Sequence, residues 1–218
     1  MASSNTVVFD LGGVLIHWDP RMLYRKLLPD EEAVEEFLRT ICTPEWNAKQ
    51  DAGRPFPQGI AELVSRFPDQ VSLITAWYDR FAETIRPMED SIQILHELRQ
   101  RNIPLYALSN WGAETFEVAR DRFSFLGWFD GLVISSHIGF IKPDVRIFQF
   151  LLEEHRLDAP EVVFVDDHLP NIEMAQTLGF QTIHFTGAAE LREDLVGRGL
   201  LQEGPPPSQA PQPPHPAL

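Results

Sequence analysis

The stretch Thr6-Val7-Val8-Phe9-Asp10-Leu11-Gly12-Gly13-Val14-Leu15-Ile16 decides how this chain is read. Its first four residues are β-prone and largely apolar, as in a buried strand, and the run ends on a carboxylate entering a double-glycine turn. An aspartate directly after a strand is ordinarily a helix N-cap. Asp10 escapes that reading, because Gly12 and Gly13 lead into more apolar residues and no helix start follows. A carboxylate in such surroundings is costly unless a cation pairs with it. Asp10 is therefore a candidate for chemistry.

Downstream of Glu89 the pattern alternates between two periods. Helices are expected at Asp90–Arg101, Ala113–Arg122, Asp144–His155, Leu169–Leu178 and from Ala188 to about Val196. Strands are expected at Pro104–Leu108, Gly131–Ser135, Glu161–Val165 and Gln181–Phe185. Such alternation implies an α/β fold, a doubly wound parallel sheet with helices on both faces and ligands beyond the carboxyl ends of its strands. From about His17 to Met88 no convincing strand stands out. Helical stripes do: Val34, Phe37, Leu38 and Ile41 within Glu31–Cys42, and Ile74, Trp77, Tyr78 and Phe81 within Val71–Ile85. The expected division is a catalytic core from residues 1–16 and 89–203, with an inserted all-helical cap at 17–88. Residues 204–218 carry seven of the 18 prolines and no Asp, Glu, Lys or Arg, and read as a disordered tail. The PxxP spacing at Pro213 and Pro216, within a proline-rich tail, is a weak ligand signal. No fixed-period repeat occurs, which excludes a solenoid.

Composition narrows the functional classes. With 44% hydrophobic and 11% aromatic residues, 218 residues bury a real core. No run approaches the roughly 18 apolar residues of a membrane span, and no basic segment precedes the first apolar run, so a soluble, cytoplasmic protein is expected. Cys42 is the lone cysteine, which rules out an internal disulfide and a cysteine zinc site and suits a reducing compartment. A formal charge of −14 repels polyanions over most of the surface, so general nucleic-acid binding is not expected. A monomer or a homodimer is compatible with everything read so far.

The residues after the expected strands are Asp10, then Ser109-Asn110, then Asp166-Asp167, and a parallel sheet brings them to one edge. In that setting Phe9-Asp10-Leu11-Gly12-Gly13-Val14-Leu15 resembles the nucleophile loop of the haloacid dehalogenase superfamily of hydrolases. Leu108-Ser109-Asn110 is similar to its second motif, Ile141-Lys142-Pro143-Asp144 to its third, and Val165-Asp166-Asp167-His168-Leu169-Pro170-Asn171 to its acidic fourth. The resemblance spans Val7 to about Phe185, and the helical block sits where the small cap of one subgroup lies. Within that block Trp46, Asp51 and Gly53 resemble the aromatic, acidic and glycine positions of relatives that act on small phosphates.

The resemblance implies roles. Asp10 would attack phosphorus and form an aspartyl-phosphate that water hydrolyses. Mg²⁺ would be held by Asp10, the Gly12 carbonyl and the acidic pair, with Asp167 the better direct ligand and Asp166 direct or through water. Lys142 would bridge Asp10 and a phosphate oxygen, while the Ser109 hydroxyl and the Asn110 backbone N–H hold another. Asn171 would orient the acidic loop, and His168 would face solvent. The substrate would be a small phosphorylated metabolite, such as a sugar phosphate.

One departure matters. Most phosphatases of the superfamily carry a second aspartate two residues after the nucleophile, as general acid and base, where this chain has Gly12. Such help is typically worth roughly 10²–10⁴ in rate, so poor leaving groups should suffer unless water, the substrate or a cap residue substitutes. His17 and Asp19 are candidates. The glycine form of the loop resembles a subgroup of active phosphatases that includes sugar-1-phosphate hydrolases. Two alternatives stay open. In 2-haloacid dehalogenases the same aspartate attacks carbon without a metal, although the Asp166-Asp167 pair would then repel the substrate carboxylate. A phosphate-binding or regulatory module with weak turnover is the other.

Overall fold

The computed structural model describes residues 5–203; the tail expected at 204–218 lies outside the described residues. The strands are β1 (Thr6–Phe9), β2 (Ile16–Trp18), β3 (Ile85–Pro87), β4 (Leu105–Ser109), β5 (Gly131–Ile134), β6 (Val162–Asp166) and β7 (Gln181–His184). Between β2 and β3 run α1 (Arg21–Tyr24), α2 (Glu31–Thr40), α3 (Pro44–Asp51), α4 (Phe56–Arg66) and α5 (Val71–Asp79). After β3 come α6 (Glu89–Gln100), α7 (Ala113–Arg122), α8 (Ser135–Ile138), α9 (Val145–His155), α10 (Leu169–Thr177) and α11 (Ala188–Gly197).

β1 is central in a five-stranded parallel sheet of order β5-β4-β1-β6-β7. Val8 pairs in register with Tyr106 on one side and Phe164 on the other. The two-residue period of β1 explains the double winding. Val7 and Phe9 pack with Leu95, Leu98, Leu191 and Leu195 of α6 and α11, whereas Val8 packs with Ile147, Phe148, Leu151 and Ala175 of α9 and α10. Both faces are covered, so β1 is buried along its length and apolar from Val7 to Phe9.

The insertion has an aromatic core of its own, where Tyr24, Phe37, Trp46, Phe56 and Trp77 are buried together. Local caps start its helices. Asp30 accepts from the Ala33 N–H at 2.9 Å to begin α2, and Thr43 accepts from the Trp46 N–H at 3.1 Å to begin α3.

Two expectations change here. The stretch read as strand-free carries a strand at each end, β2 and β3, which pair antiparallel with Ile16 opposite Pro87 and Trp18 opposite Ile85. Three-residue strands are too short for a periodic signal. They form because the chain leaves the sheet and returns at neighbouring points, where the Met88 N–H donates to Leu15 O at 2.9 Å. The Val71–Ile85 stripe, expected as one helix, ends at Asp79 and tightens into a 3₁₀ turn over Phe81–Thr84. Phe81 leaves the helical cluster and packs T-shaped on Trp111 of the sheet side, at 6.2 Å between ring centroids. Among the described residues no helix is long and apolar enough to cross a membrane.

Candidate active site

β1, β4 and β6 end on the same side of the sheet and deliver Asp10, the Ser109-Asn110 pair and the Asp166-Asp167 pair; Lys142 joins them from the loop between α8 and α9. Its ammonium lies 3.1 Å from Asp10 Oδ1 and 2.6 Å from Asp166 Oδ2. The Lys142 and Asp166 side chains are 1% and 0% exposed, so neither charge is tolerable there without the other. Burial raises the Asp10 carboxyl to about 7 against the pull of Lys142, and Asp166 and Asp167 push the same way. Burial and the charge of Asp166 raise Asp167 as well. Burial opposes the charge on Lys142, yet Asp10 and Asp166 outweigh it and hold the ammonium above the usual lysine value.

The acidic loop divides its tasks. Asp166 is fully engaged: Oδ2 accepts from Lys142, Oδ1 accepts from the His168 backbone N–H at 2.8 Å, and Asn171 Nδ2 donates to both oxygens at 3.0 Å. Asp167 is the most exposed of the three acids and holds the freer carboxylate, partly shielded by the loop, while His168 faces solvent. One carboxylate oxygen each of Asp10, Asp166 and Asp167 lies within 4.8 Å of the other two. Three hard oxygen donors against one ammonium make a donor set that fits a divalent cation such as Mg²⁺. Gly13 makes this approach possible. With φ +73° it turns the loop, and a Cβ there would stand 2.1 Å from Asp167 Oδ2. Gly12 is roomy, with nothing within 4 Å of a Cβ built on it.

Asn110 has a task that the sequence does not disclose. Its side chain clamps the backbone of Lys142, accepting from the Lys142 N–H at 2.7 Å and donating to its carbonyl at 3.0 Å. That reciprocal pair holds the lysine loop against the end of β4 and leaves the Asn110 backbone as its available donor. Ser109 is buried beside it, 1% exposed.

Above this edge Gly12 and Asn110 line a cavity of about 80 Å³ with Trp18, Asn47 and Asp51 of the insertion. Phe81 and Trp111 add aromatic walls. Trp46, expected beside the substrate, does not line it. Its indole is packed into the helical cluster, donating to Gly59 O at 3.1 Å and standing T-shaped to Phe56 and Trp77. Asn47 and Asp51, four residues apart on the neighbouring face of α3, reach the cavity instead, and Asn47 Nδ2 donates to Asp51 Oδ2 at 3.0 Å. The i,i+4 spacing of an amide and a carboxylate was the available signal. Neither earlier proton-donor candidate reaches the cavity. His17 stands opposite Arg86 in the ribbon, and Asp19 accepts from the Arg21 N–H at 2.9 Å while pairing with Arg21 and Arg25.

A chain of hydrogen bonds fastens the insertion over the site. The Trp111 N–H donates to Ser135 Oγ at 2.9 Å, and the Ser135 hydroxyl donates to the Asp51 carbonyl at 2.6 Å. Gly53 explains itself here: at φ +100° its backbone approaches α8 so closely that a Cβ would lie 3.0 Å from Ser136 O.

Residues 5–179 match the model of the haloacid dehalogenase-like hydrolases. The chain belongs to that family. This hydrolase is 30% identical over 195 residues to the sesquiterpene phosphatase of Aspergillus oryzae, covering 87% of this chain and 95% of the relative. It is 26% identical over 201 residues to the D-ribitol-5-phosphate phosphatase of Bacteroides thetaiotaomicron, covering 87% and 96%. A haloacid dehalogenase family enzyme from the same bacterium, solved with magnesium and inorganic phosphate, superposes with a TM-score of 0.63 at 22% identity, over 83% of this chain and 93% of that one. The likeness bears out the sheet architecture and the family expected from the four motifs.

Proposed function

We propose that this hydrolase is a Mg²⁺-dependent phosphomonoesterase of small phosphorylated metabolites, sugar phosphates among them, acting through an aspartyl-phosphate on Asp10. The observation that carries the reading is the Asp10–Asp166–Asp167 cluster with the Lys142 ammonium in its midst. An anionic nucleophile meets an anionic ester only where positive charge is gathered, and a haloacid would meet this cluster as a repelling wall. The two phosphatase relatives support the same reading.

Residues 1–16 and 89–203 would act as the catalytic core, with 17–88 as a cap; β2 crosses the first boundary and β3 ends just before the second. Asp10, the Gly12 carbonyl and Asp167 would hold Mg²⁺, with Asp166 close behind. Bound there, the cation supplies Lewis-acid countercharge to the phosphoryl oxygens. Lys142 draws Asp10 toward its anionic form and lends a point charge to one phosphate oxygen. The Ser109 hydroxyl and the Asn110 N–H receive another, and Asn171 keeps Asp166 aligned. Oligomeric state does not enter the chemistry, so a monomer or a homodimer would serve.

The test is release of inorganic phosphate from a panel of metabolite phosphates and from 4-nitrophenyl phosphate while Mg²⁺ is titrated. Turnover should rise with Mg²⁺ and vanish in Asp10→Asn, whose amide is nearly isosteric but not nucleophilic. Retention of a tenth of wild-type kcat, about 1.4 kcal/mol of barrier, would refute the assignment. Metal-independent halide release from 2-chloropropionate would establish the dehalogenase alternative in its place.

A further inference from the structure

We infer that Asp51, a cap residue, is the proton donor to the leaving oxygen, taking the place that Gly12 leaves empty. This rests on the phosphomonoesterase reading above. Gly12 and Asp51 line the same cavity, one on the nucleophile loop and one on the last turn of α3. In an in-line displacement the leaving oxygen lies opposite the attacking oxygen of Asp10, away from the strand end that carries it.

Three further observations suit a carboxylic acid at this position. First, Asp51 is held in place: the Ser135 hydroxyl grips its carbonyl at 2.6 Å and Asn47 Nδ2 donates to its Oδ2 at 3.0 Å. Second, no ion pair among the described residues neutralises it. Burial raises its carboxyl to about 7, the Gly112 N–H is the opposing influence, and no charged neighbour contributes. A proton is therefore on hand near neutrality, where a general acid is most useful. Third, a Cβ at Gly12 would meet nothing within 4 Å, so the space next to the nucleophile has no side chain of its own to do this work.

The steps balance as follows. The Asp10 oxygen forms its bond to phosphorus while the ester P–O bond breaks, and the electron pair of that bond stays on the leaving oxygen, which takes the proton from Asp51. Asp51, now a carboxylate, removes a proton from water as the water oxygen attacks the aspartyl-phosphate. The Asp10–O–P bond breaks, its electrons return to Asp10, and inorganic phosphate leaves with Asp51 protonated again.

The experiment compares Asp51→Asn with the wild type on two esters of similar bulk, 2-phenylethyl phosphate and 4-nitrophenyl phosphate, in saturating Mg²⁺. The alkoxide needs a proton and the nitrophenolate does not, so kcat/KM for the alkyl ester should fall by about 10²-fold more than for the aryl ester. With 4-nitrophenyl phosphate the variant should also show a burst of nitrophenolate, one per enzyme, before slow turnover. Ser135→Ala, which loosens the grip on the cap without touching the carboxyl, should lower both esters by one common factor. An equal loss on both esters in Asp51→Asn would reduce Asp51 to a fastening for the cap and overturn the proposal. A missing burst would remove it from the second step. A wild type that releases no phosphate from either ester would refute the phosphomonoesterase reading itself, an outcome distinct from both.

Discussion

The Lys142 ammonium touches Asp10 and Asp166 at once, so its removal strands two buried carboxylates. Breaking such a pair from one side typically costs about 3–5 kcal/mol. Lys142→Met should lose stability of that order at pH 8 in chelator, measured by urea unfolding, and should recover part of it at pH 5, where the stranded carboxyls take up protons. The two loop glycines should behave differently. Gly13→Ala forces a Cβ to 2.1 Å from Asp167 Oδ2 at a φ of +73°. The left-handed backbone alone costs roughly 1–2 kcal/mol, and Asp167 has to move. Gly12→Ala meets neither obstacle. The expected result is a smaller rise of Tm on adding Mg²⁺ for Gly13→Ala than for Gly12→Ala, and an equal rise in the two would show that Asp167 does not need the close approach.

α3 links the core of the insertion to the cavity. One face buries Trp46 against Phe56 and Trp77, and the neighbouring face presents Asn47 and Asp51 to the cavity. A buried tryptophan truncated to alanine typically costs about 3–5 kcal/mol. Trp46→Ala should therefore appear first as a loss of stability in urea unfolding. A variant with unchanged stability and a raised KM would instead return Trp46 to the substrate. Asp30→Ala, which removes the bond to the Ala33 N–H at the start of α2, should cost about 1 kcal/mol in the same measurement.

Across the whole molecule the charge of −14 makes stability sensitive to pH. The carboxyls of Asp10 and Asp51 are raised from 3.8 to about 7 in the folded state. A folded state that binds protons more tightly than the unfolded chain is favoured below the unfolded value and loses that advantage as pH rises through the folded one. In chelator, Tm should fall between pH 5 and pH 8, and Asp51→Asn should make the fall shallower. Mg²⁺ displaces protons from its ligands, so its stabilising effect should be larger at pH 8 than at pH 5 and should be lost in Asp167→Ala. A Tm independent of pH over this range would contradict the raised carboxyls.

Several features followed from local sequence alone. A short β-branched apolar run between turn residues suits a central parallel strand buried on both faces, and Asp10, Ser109-Asn110 and Asp166-Asp167 are chemically conspicuous because each stands where such a run ends. The family was legible for the same reason, since its motifs are short and lie at strand ends. Which way a side chain points depends on segments far away in the chain. Asn110 secures Lys142 across 32 residues, and Ser135 secures Asp51 across 84. The i,i+4 spacing of Asn47 and Asp51 marks a polar face of α3, but it does not say that this face turns toward the strand ends while Trp46 turns into the helical cluster. The β2–β3 ribbon likewise exists only because the sheet brings both ends of the insertion together. Periodicity and strand ends are properties of a few consecutive residues, whereas the partner of a buried polar group is chosen by the packing of the whole chain.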